Sequence, residues 1–272
     1  MKTIVITGAA GVLCRTLAIA FADAGNKVAL LDLNLVKAQE VAQQIKDKGG
    51  EAIAIKANVL DQVSLQKAKQ EINNTYGKCN ILINGAGGNH PKATTSQQFF
   101  DPISDSKEDV KTFFELDTEG IKFVFDLNFM GTLLPTQVFA KDMIDTKEGN
   151  IINISSMNAF QPLTKIPAYS GAKAAISNFT QWLAVYFSKV GIRVNALAPG
   201  FFLTEQNRTL LTKDDGSLTD RGKAIIQRTP LEKFGAPEDL ISTALWLCDN
   251  GSSFITGIVV PIDGGFSAYS GI

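Results

Sequence analysis

The stretch TIVITGAAGVLCRTLAIAFADAGNKVALLD, Thr3–Asp32, decides how the chain is read. Thr3–Thr7 is a short apolar run with β-branched residues, and Gly8–Gly11 is a turn of small residues. A helical pattern follows over 11–24, and Lys27–Asp32 is a second apolar run. Strand, turn, helix and strand in that order make a βαβ unit, whose two strands lie parallel. Working outward, Ala52–Ala57, Asn80–Asn84, Asn150–Ser155, Ile192–Leu197 and Ile258–Pro261 read as further strands. Helical patterns lie near 36–48, 61–75, 118–145, 167–189 and 237–248. Near-continuous apolar strands alternating with helices predict an α/β fold: one doubly wound parallel sheet of seven strands, helices on both faces. No repeat, low-complexity tract or linker interrupts 1–272, so a single domain is expected.

Small residues where a strand enters a helix let backbone N–H groups approach a pyrophosphate. Gly8, Ala10, Gly11, Val12 and Leu13 are therefore candidate cofactor contacts, although Cys14 stands near where such patterns carry a third glycine. The signal strengthens at Asp32, about two dozen residues on, where a carboxylate would accept bonds from ribose hydroxyls. It would also repel a 2′-phosphate, and Leu33 and Asn34 offer no cation, so NAD(H) is favoured over NADP(H). A helix cap is the competing role for Asp32. The third and fourth strands end in Ala57-Asn58-Val59 and Asn84-Gly85-Ala86-Gly87, small or turn-forming residues that leave room for a flat ligand.

Composition narrows the class. Of 272 residues 45% are hydrophobic and the net charge is −1, with no Lys/Arg run to suggest nucleic acid or an anionic membrane. Three scattered cysteines and one histidine, His90, argue against a disulfide framework and against a zinc site. The start MKTIVITGAAG enters a strand directly, without an apolar leader pattern, and no run of 18 apolar residues occurs. A cytoplasmic protein with no bound metal is expected.

The chemistry concentrates in Asn153–Lys173, NISSMNAFQPLTKIPAYSGAK. Tyr169 and Lys173 share a helix face, and Ser156 stands at the mouth of the preceding strand. Hydroxyl, phenol and ammonium at one spot suggest proton transfer at an oxygen, with the ammonium lowering the phenol's pKa. Strand alternation lets only one of Ser155 and Ser156 face that spot.

These motifs together resemble the short-chain dehydrogenase/reductase family over almost the whole chain. TGAAGVLC resembles its glycine-rich turn, NGAG its fourth-strand motif, Asn128 in LNFMG its structural asparagine, and Tyr169-Ser-Gly-Ala-Lys173 its Tyr-x-x-x-Lys. Pro199-Gly200 with Thr204 resembles the loop closing on the nicotinamide, and Asp263-Gly264-Gly265 a C-terminal motif. The departures are Val12, Cys14 and Asn58. The resemblance implies Tyr169 as acid/base, Lys173 as its partner and ribose ligand, Ser156 on the reacting oxygen and Asn128 ordering a water relay. It extends the cofactor set to Phe202, and implies a homotetramer or dimer. Several stretches, among them NGAGGNHPKATT and APGFFLTEQNR, are most similar to the D-mannonate oxidoreductase (fructuronate reductase) branch. A sugar acid substrate is then expected, interconverted between alcohol and ketone. A gluconate 5-dehydrogenase or 3-oxoacyl reductase type, and a non-catalytic NAD-binding regulator, are the alternatives. Asn89, His90, Ser156, Asn158 and Arg208 are the substrate candidates, with Lys92, Lys165 and Gln206 behind them. Two long excursions, 88–116 and 201–228, start where ligands bind in such sheets and are expected to act as substrate lids.

Overall fold

A computed structural model describes residues 1–103, 109–204 and 207–271. Seven strands form one sheet: β1 Thr3–Thr7, β2 Lys27–Asp32, β3 Glu51–Lys56, β4 Ile81–Asn84, β5 Gly149–Ile154, β6 Ile192–Pro199 and β7 Val259–Ile262. The order is β3-β2-β1-β4-β5-β6-β7, and every pairing is parallel. The expected Rossmann-like sheet is therefore present, with strand ends within two residues of the expected ones.

Strand alternation divides the core into two layers. Ile4 and Ile6 of β1 face one side with Leu17 and Phe21 of α1 (Val12–Asp23) and Val41 and Ile45 of α2 (Leu35–Asp47). Val5 faces the other side, with Leu65 and Ile72 of α3 (Gln62–Thr75). Because both faces are covered, the strands have no polar side to show, which is why they read as unbroken apolar runs. Strand order reverses between β1 and β4, so the crevice beyond their carboxyl ends is the natural ligand position.

The helical pattern over 118–145 proves to be two helices, α4 (Thr118–Phe125) and α5 (Gly131–Thr146), joined by a π-helical turn over Asp126–Met130. The widened turn places Asn128 inside, where its Nδ2 donates to Val124 O at 2.7 Å. Pro135 lies in α5 and has no N–H to return to the preceding turn. Next come α6 (Pro167–Tyr186), α7 (Arg208–Leu211), α8 (Asp220–Gln227) and α9 (Ile241–Cys248). The short α7 and α8 occupy the second excursion. Among the described residues of the first excursion, a 3-10 turn over Pro91–Ala93 is the only helical element.

Candidate active site

The turn after β1 is shaped by contact. Gly8 has φ +63°, and a Cβ there would lie 2.8 Å from Ala86 Cα, so β1 and β4 approach closely only without one. The Thr7 hydroxyl accepts from the Gly85 and Ala86 N–H groups at 3.1 and 3.3 Å, tying the two strand ends together. The sequence reading passed over Thr7; its position one residue before the glycine turn was the available signal. Gly11 caps α1 without any side-chain bond, and the N–H groups of Val12, Leu13 and Cys14 have no acceptor among the described residues. A first turn with free donors, no acidic residue and a glycine cradle fits a pyrophosphate. At the end of β2, Asp32 accepts from Ala10 N at 3.0 Å and from Asn34 N at 2.8 Å. The carboxylate thus holds the turn and retains lone pairs. Leu33 is exposed. Asn58 accepts from Leu60 N at 3.0 Å, and Val59 is buried against Gly131.

Several expected positions have side chains engaged elsewhere. Asn84 was expected at the cofactor, but its Nδ2 donates to Thr136 Oγ1 at 3.0 Å and to Asn153 Oδ1 at 2.9 Å. Asn153 continues to Thr180 Oγ1 at 2.9 Å, so Asn84 belongs to a buried polar ladder between α5 and α6. Phe202 is 6% exposed and lies in the core against Gly235. His90 uses Nδ1 to accept from Lys92 N at 3.1 Å, capping the 3-10 turn, while its ring packs on Phe123. Asn89 donates to Thr94 Oγ1 at 2.9 Å, and Lys92 pairs with Asp117. Arg208 is exposed at the start of α7. Gln206 lies outside the described residues. Gly200 stands at the end of β6, where a Cβ would meet Asp263 Cα at 2.6 Å. Asp263 in turn accepts from Gly265 N and Ser267 N, both at 2.9 Å. Pro199 closes β6, and Thr204 donates its N–H to Asn207 Oδ1 at 2.8 Å.

Beyond β5 the two serines separate as alternation requires. Ser155 turns to α6, donating to Lys173 O at 3.1 Å and contacting Ser177 Oγ at 2.7 Å. Ser156 faces the other way, accepting from Asn158 N at 3.2 Å and bonding the Tyr169 phenol. Asn158 is 4% exposed and its Oδ1 has no partner, an orphaned acceptor beside Ser156. Lys173 is buried, its Nζ donating to Ile154 O at 2.8 Å and standing 5.5 Å from the centre of the Tyr169 ring. A Cβ on Gly87 would lie 2.6 Å from Asn128 Oδ1 and 3.2 Å from Lys173 Nζ. Asn128 holds that loop from both sides, donating to Gly88 O at 2.7 Å and accepting from Gly88 N at 3.2 Å.

Burial sets the protonation states. It pushes the Tyr169 phenol up to about 12, with the Ser156 hydrogen bond pulling the other way. It also pushes Lys173 down to about 8. The expected lowering of the phenol by Lys173 is thus absent from the free protein: the ammonium donates to Ile154 O and desolvation dominates.

The short chain dehydrogenase sequence profile matches residues 2–215. The chain belongs to the short-chain dehydrogenase family. An uncharacterised oxidoreductase of Haemophilus influenzae is 58% identical over 272 residues, covering 100% of this chain and 95% of that protein. The uncharacterised oxidoreductase UxuB of Bacillus subtilis is 50% identical, covering 100% and 96%. A Haemophilus crystal structure with bound NAD, provisionally assigned as a D-mannonate oxidoreductase, superposes with a TM-score of 0.96 at 57% identity, covering 100% and 96%. This short-chain dehydrogenase is therefore an oxidoreductase of Rossmann-like fold. Among its described residues no helix is long and apolar enough to cross a membrane, and no group of side chains could hold a metal.

Proposed function

We propose that this short-chain dehydrogenase interconverts the alcohol and ketone forms of a sugar acid with NAD(H), most specifically D-mannonate and D-fructuronate. The observation that carries the reading is the convergence of Ser156, Tyr169 and Lys173 beside a dinucleotide turn closed by Asp32. The assignment of the Haemophilus structure supports the substrate.

Bound at this site, a nicotinamide would supply the hydride chemistry; the protein positions carbon and manages the oxygen's proton. Tyr169 gives or takes that proton, and Ser156 donates to the same substrate oxygen. Lys173 holds positive charge beside the phenol and is placed to reach a ribose. Asn128 fixes the Gly87–Gly88 loop against which the cofactor would lie. The free N–H groups of α1 receive the pyrophosphate, and Asp32 selects ribose hydroxyls over a 2′-phosphate. The orphaned Asn158 Oδ1 accepts from a substrate hydroxyl.

The chain is read as one catalytic domain with the two excursions as substrate lids. It acts in the cytoplasm, in keeping with three buried free cysteines. It works as a homo-oligomer, tetramer or dimer. The stacked, half-exposed Phe179–Trp182–Tyr186 strip on α6 supports a covered helix face. A panel of hexonates and polyols assayed with NAD⁺ and NADP⁺ tests the activity. D-mannonate oxidation with NAD⁺ is expected to lead, and no turnover of any hexonate would sink the reading. Light scattering on the eluting peak tests the assembly, and a monomer would remove it.

A further inference from the structure

Both excursions and the loop before Tyr169 meet around a cleft of about 450 Å³. Thr94 comes from the first excursion, Leu163–Ile166 from the loop, Phe201 and α8 from the second, and Phe266 from the C-terminal turn. The cleft differs in charge from the chain as a whole. Among the described residues, Lys165, Arg221 and Arg228 line it with a single carboxylate, Asp220, which lies 4.0 Å from Lys223. Among the described residues, none of the three cations has an ion-pair partner.

Arg228 is held in place without using its donors. Its guanidinium lies 5.7 Å from the centre of the Phe266 ring, and Phe266 is buried with its ring set edge-on to Phe201 at 5.3 Å. Stacking on an anchored aromatic orients a planar fork while leaving its N–H groups for a ligand. Lys165 adds a second sign of a built wall. Among the described residues it is one of three non-glycine residues with positive φ, +74°, and its carbonyl is fixed by Thr95 N at 2.9 Å. Such backbone is uncommon for lysine and persists where its surroundings hold it.

We infer that Arg228, with Lys165 contributing from the 163–166 loop, forms the subsite that binds the substrate's carboxylate and selects a sugar acid over the matching neutral polyol. The inference deepens the sugar-acid reading and rests on it. It places anion recognition on the wall of the cleft, where planar bidentate pairing with a carboxylate is available.

Steady-state kinetics of wild type, Arg228→Met and Arg228→Lys test it, with a hexonate and the polyol of the same carbon skeleton. Arg228→Met is expected to raise the hexonate KM roughly 10- to 100-fold, keep kcat within about threefold and leave the polyol KM alone. Arg228→Lys recovers part of the loss. Fluorescence quenching by NADH verifies that each variant retains the cofactor fold. If wild type turns over the hexonate and Arg228→Met does so with an unchanged KM, the subsite is overturned while the sugar-acid reading stands. If wild type turns over polyols alone, the sugar-acid reading falls and the subsite with it. If it turns over neither, calorimetry of D-gluconate binding to the NADH complex decides. Binding lost in Arg228→Met supports the subsite; equal binding, or none in wild type, overturns it.

Discussion

Cys14 and Gly85 share one space: a Cβ built on Gly85 would lie 2.0 Å from Cys14 Sγ and 2.9 Å from the Thr7 carbonyl oxygen. A cysteine stands where the family's turn usually carries a small glycine, and the facing strand end makes room by having no side chain. Helix α1 therefore sits on β4 at the distance the thiol sets. Gly85→Ala is expected to cost roughly 1–3 kcal/mol through overpacking and to lower the melting temperature by several degrees. Cys14→Gly placed in the same chain should return part of that loss, while the Thr7 carbonyl keeps the recovery incomplete. Thermal denaturation of the two single variants and the double variant checks the coupling. Losses that merely add would show that the thiol is not the obstacle.

Tyr169 gives a pH dependence whose sign follows from its surroundings. With the phenol pushed up to about 12, it is protonated throughout the neutral range and ready as an acid for ketone reduction. Alcohol oxidation needs the phenolate, so its kcat/KM should climb with pH, up to about tenfold per unit. Lys173, pushed down to about 8, loses its charge above that pH, but with no lowering of the phenol to withdraw, the climb should keep its slope there. Reduction should stay nearly level from pH 6 to 8. Tyr169→Phe should abolish both directions and leave NADH affinity within a few-fold. Retained turnover in that variant would remove Tyr169 from proton transfer.

Asp32 has two jobs in one carboxylate. It holds the Ala10 and Asn34 N–H groups, and in the proposed function its remaining lone pairs would accept from the adenosine ribose. Asp32→Ala should weaken NAD⁺ and relax its advantage over NADP⁺ by about tenfold or more in kcat/KM, the scale of a lost charge-assisted bond. A modest fall in melting temperature should accompany it, since two backbone donors lose their acceptor. An unchanged cofactor ratio would confine Asp32 to the structural job.

The sheet was legible because burial on both faces leaves its mark on every strand, and the convergence of Ser156, Tyr169 and Lys173 because helix spacing and strand alternation are rigid rules. Even the choice between Ser155 and Ser156 was posed correctly, although only packing against Ser177 decides it. Side chains at strand ends were less legible. Asn84 reads as a cofactor residue from its glycine neighbours, yet Thr136 and Asn153 draw it into the core. Phe202 packs on Gly235 and His90 on Phe123 in the same way, since type and position do not say which neighbour claims a side chain. Arg228 went unnoticed because the ring that orients it, Phe266, is far away in sequence. The break at Asp126–Met130 was hidden because an apolar helical period runs on through a π turn.

The buried thiols set the stability of the free protein in alkali. Burial pushes Cys14 and Cys248 up to about 12 and raises Cys79 further, whereas unfolded thiols ionise near 9. Above pH 9 the unfolded chain therefore releases protons that the folded chain keeps, and stability falls as pH rises. Lys173 acts in the opposite sense. Its folded value of about 8 lies below the ordinary 10.5, so between these limits the unfolded chain binds the extra proton and stability rises. From 8 to 9 the lysine acts alone; above 9 three thiols, joined from pH 10 by the raised Tyr169 phenol, oppose one amine and prevail. The melting temperature measured at constant ionic strength should thus pass through a maximum near pH 9. Cys14→Ala with Cys248→Ala should flatten the fall beyond it, and Lys173→Met should remove the rise before it. A melting temperature still climbing at pH 10.5, or a double cysteine variant with the wild-type slope, would show that these thiols do not control the alkaline limb.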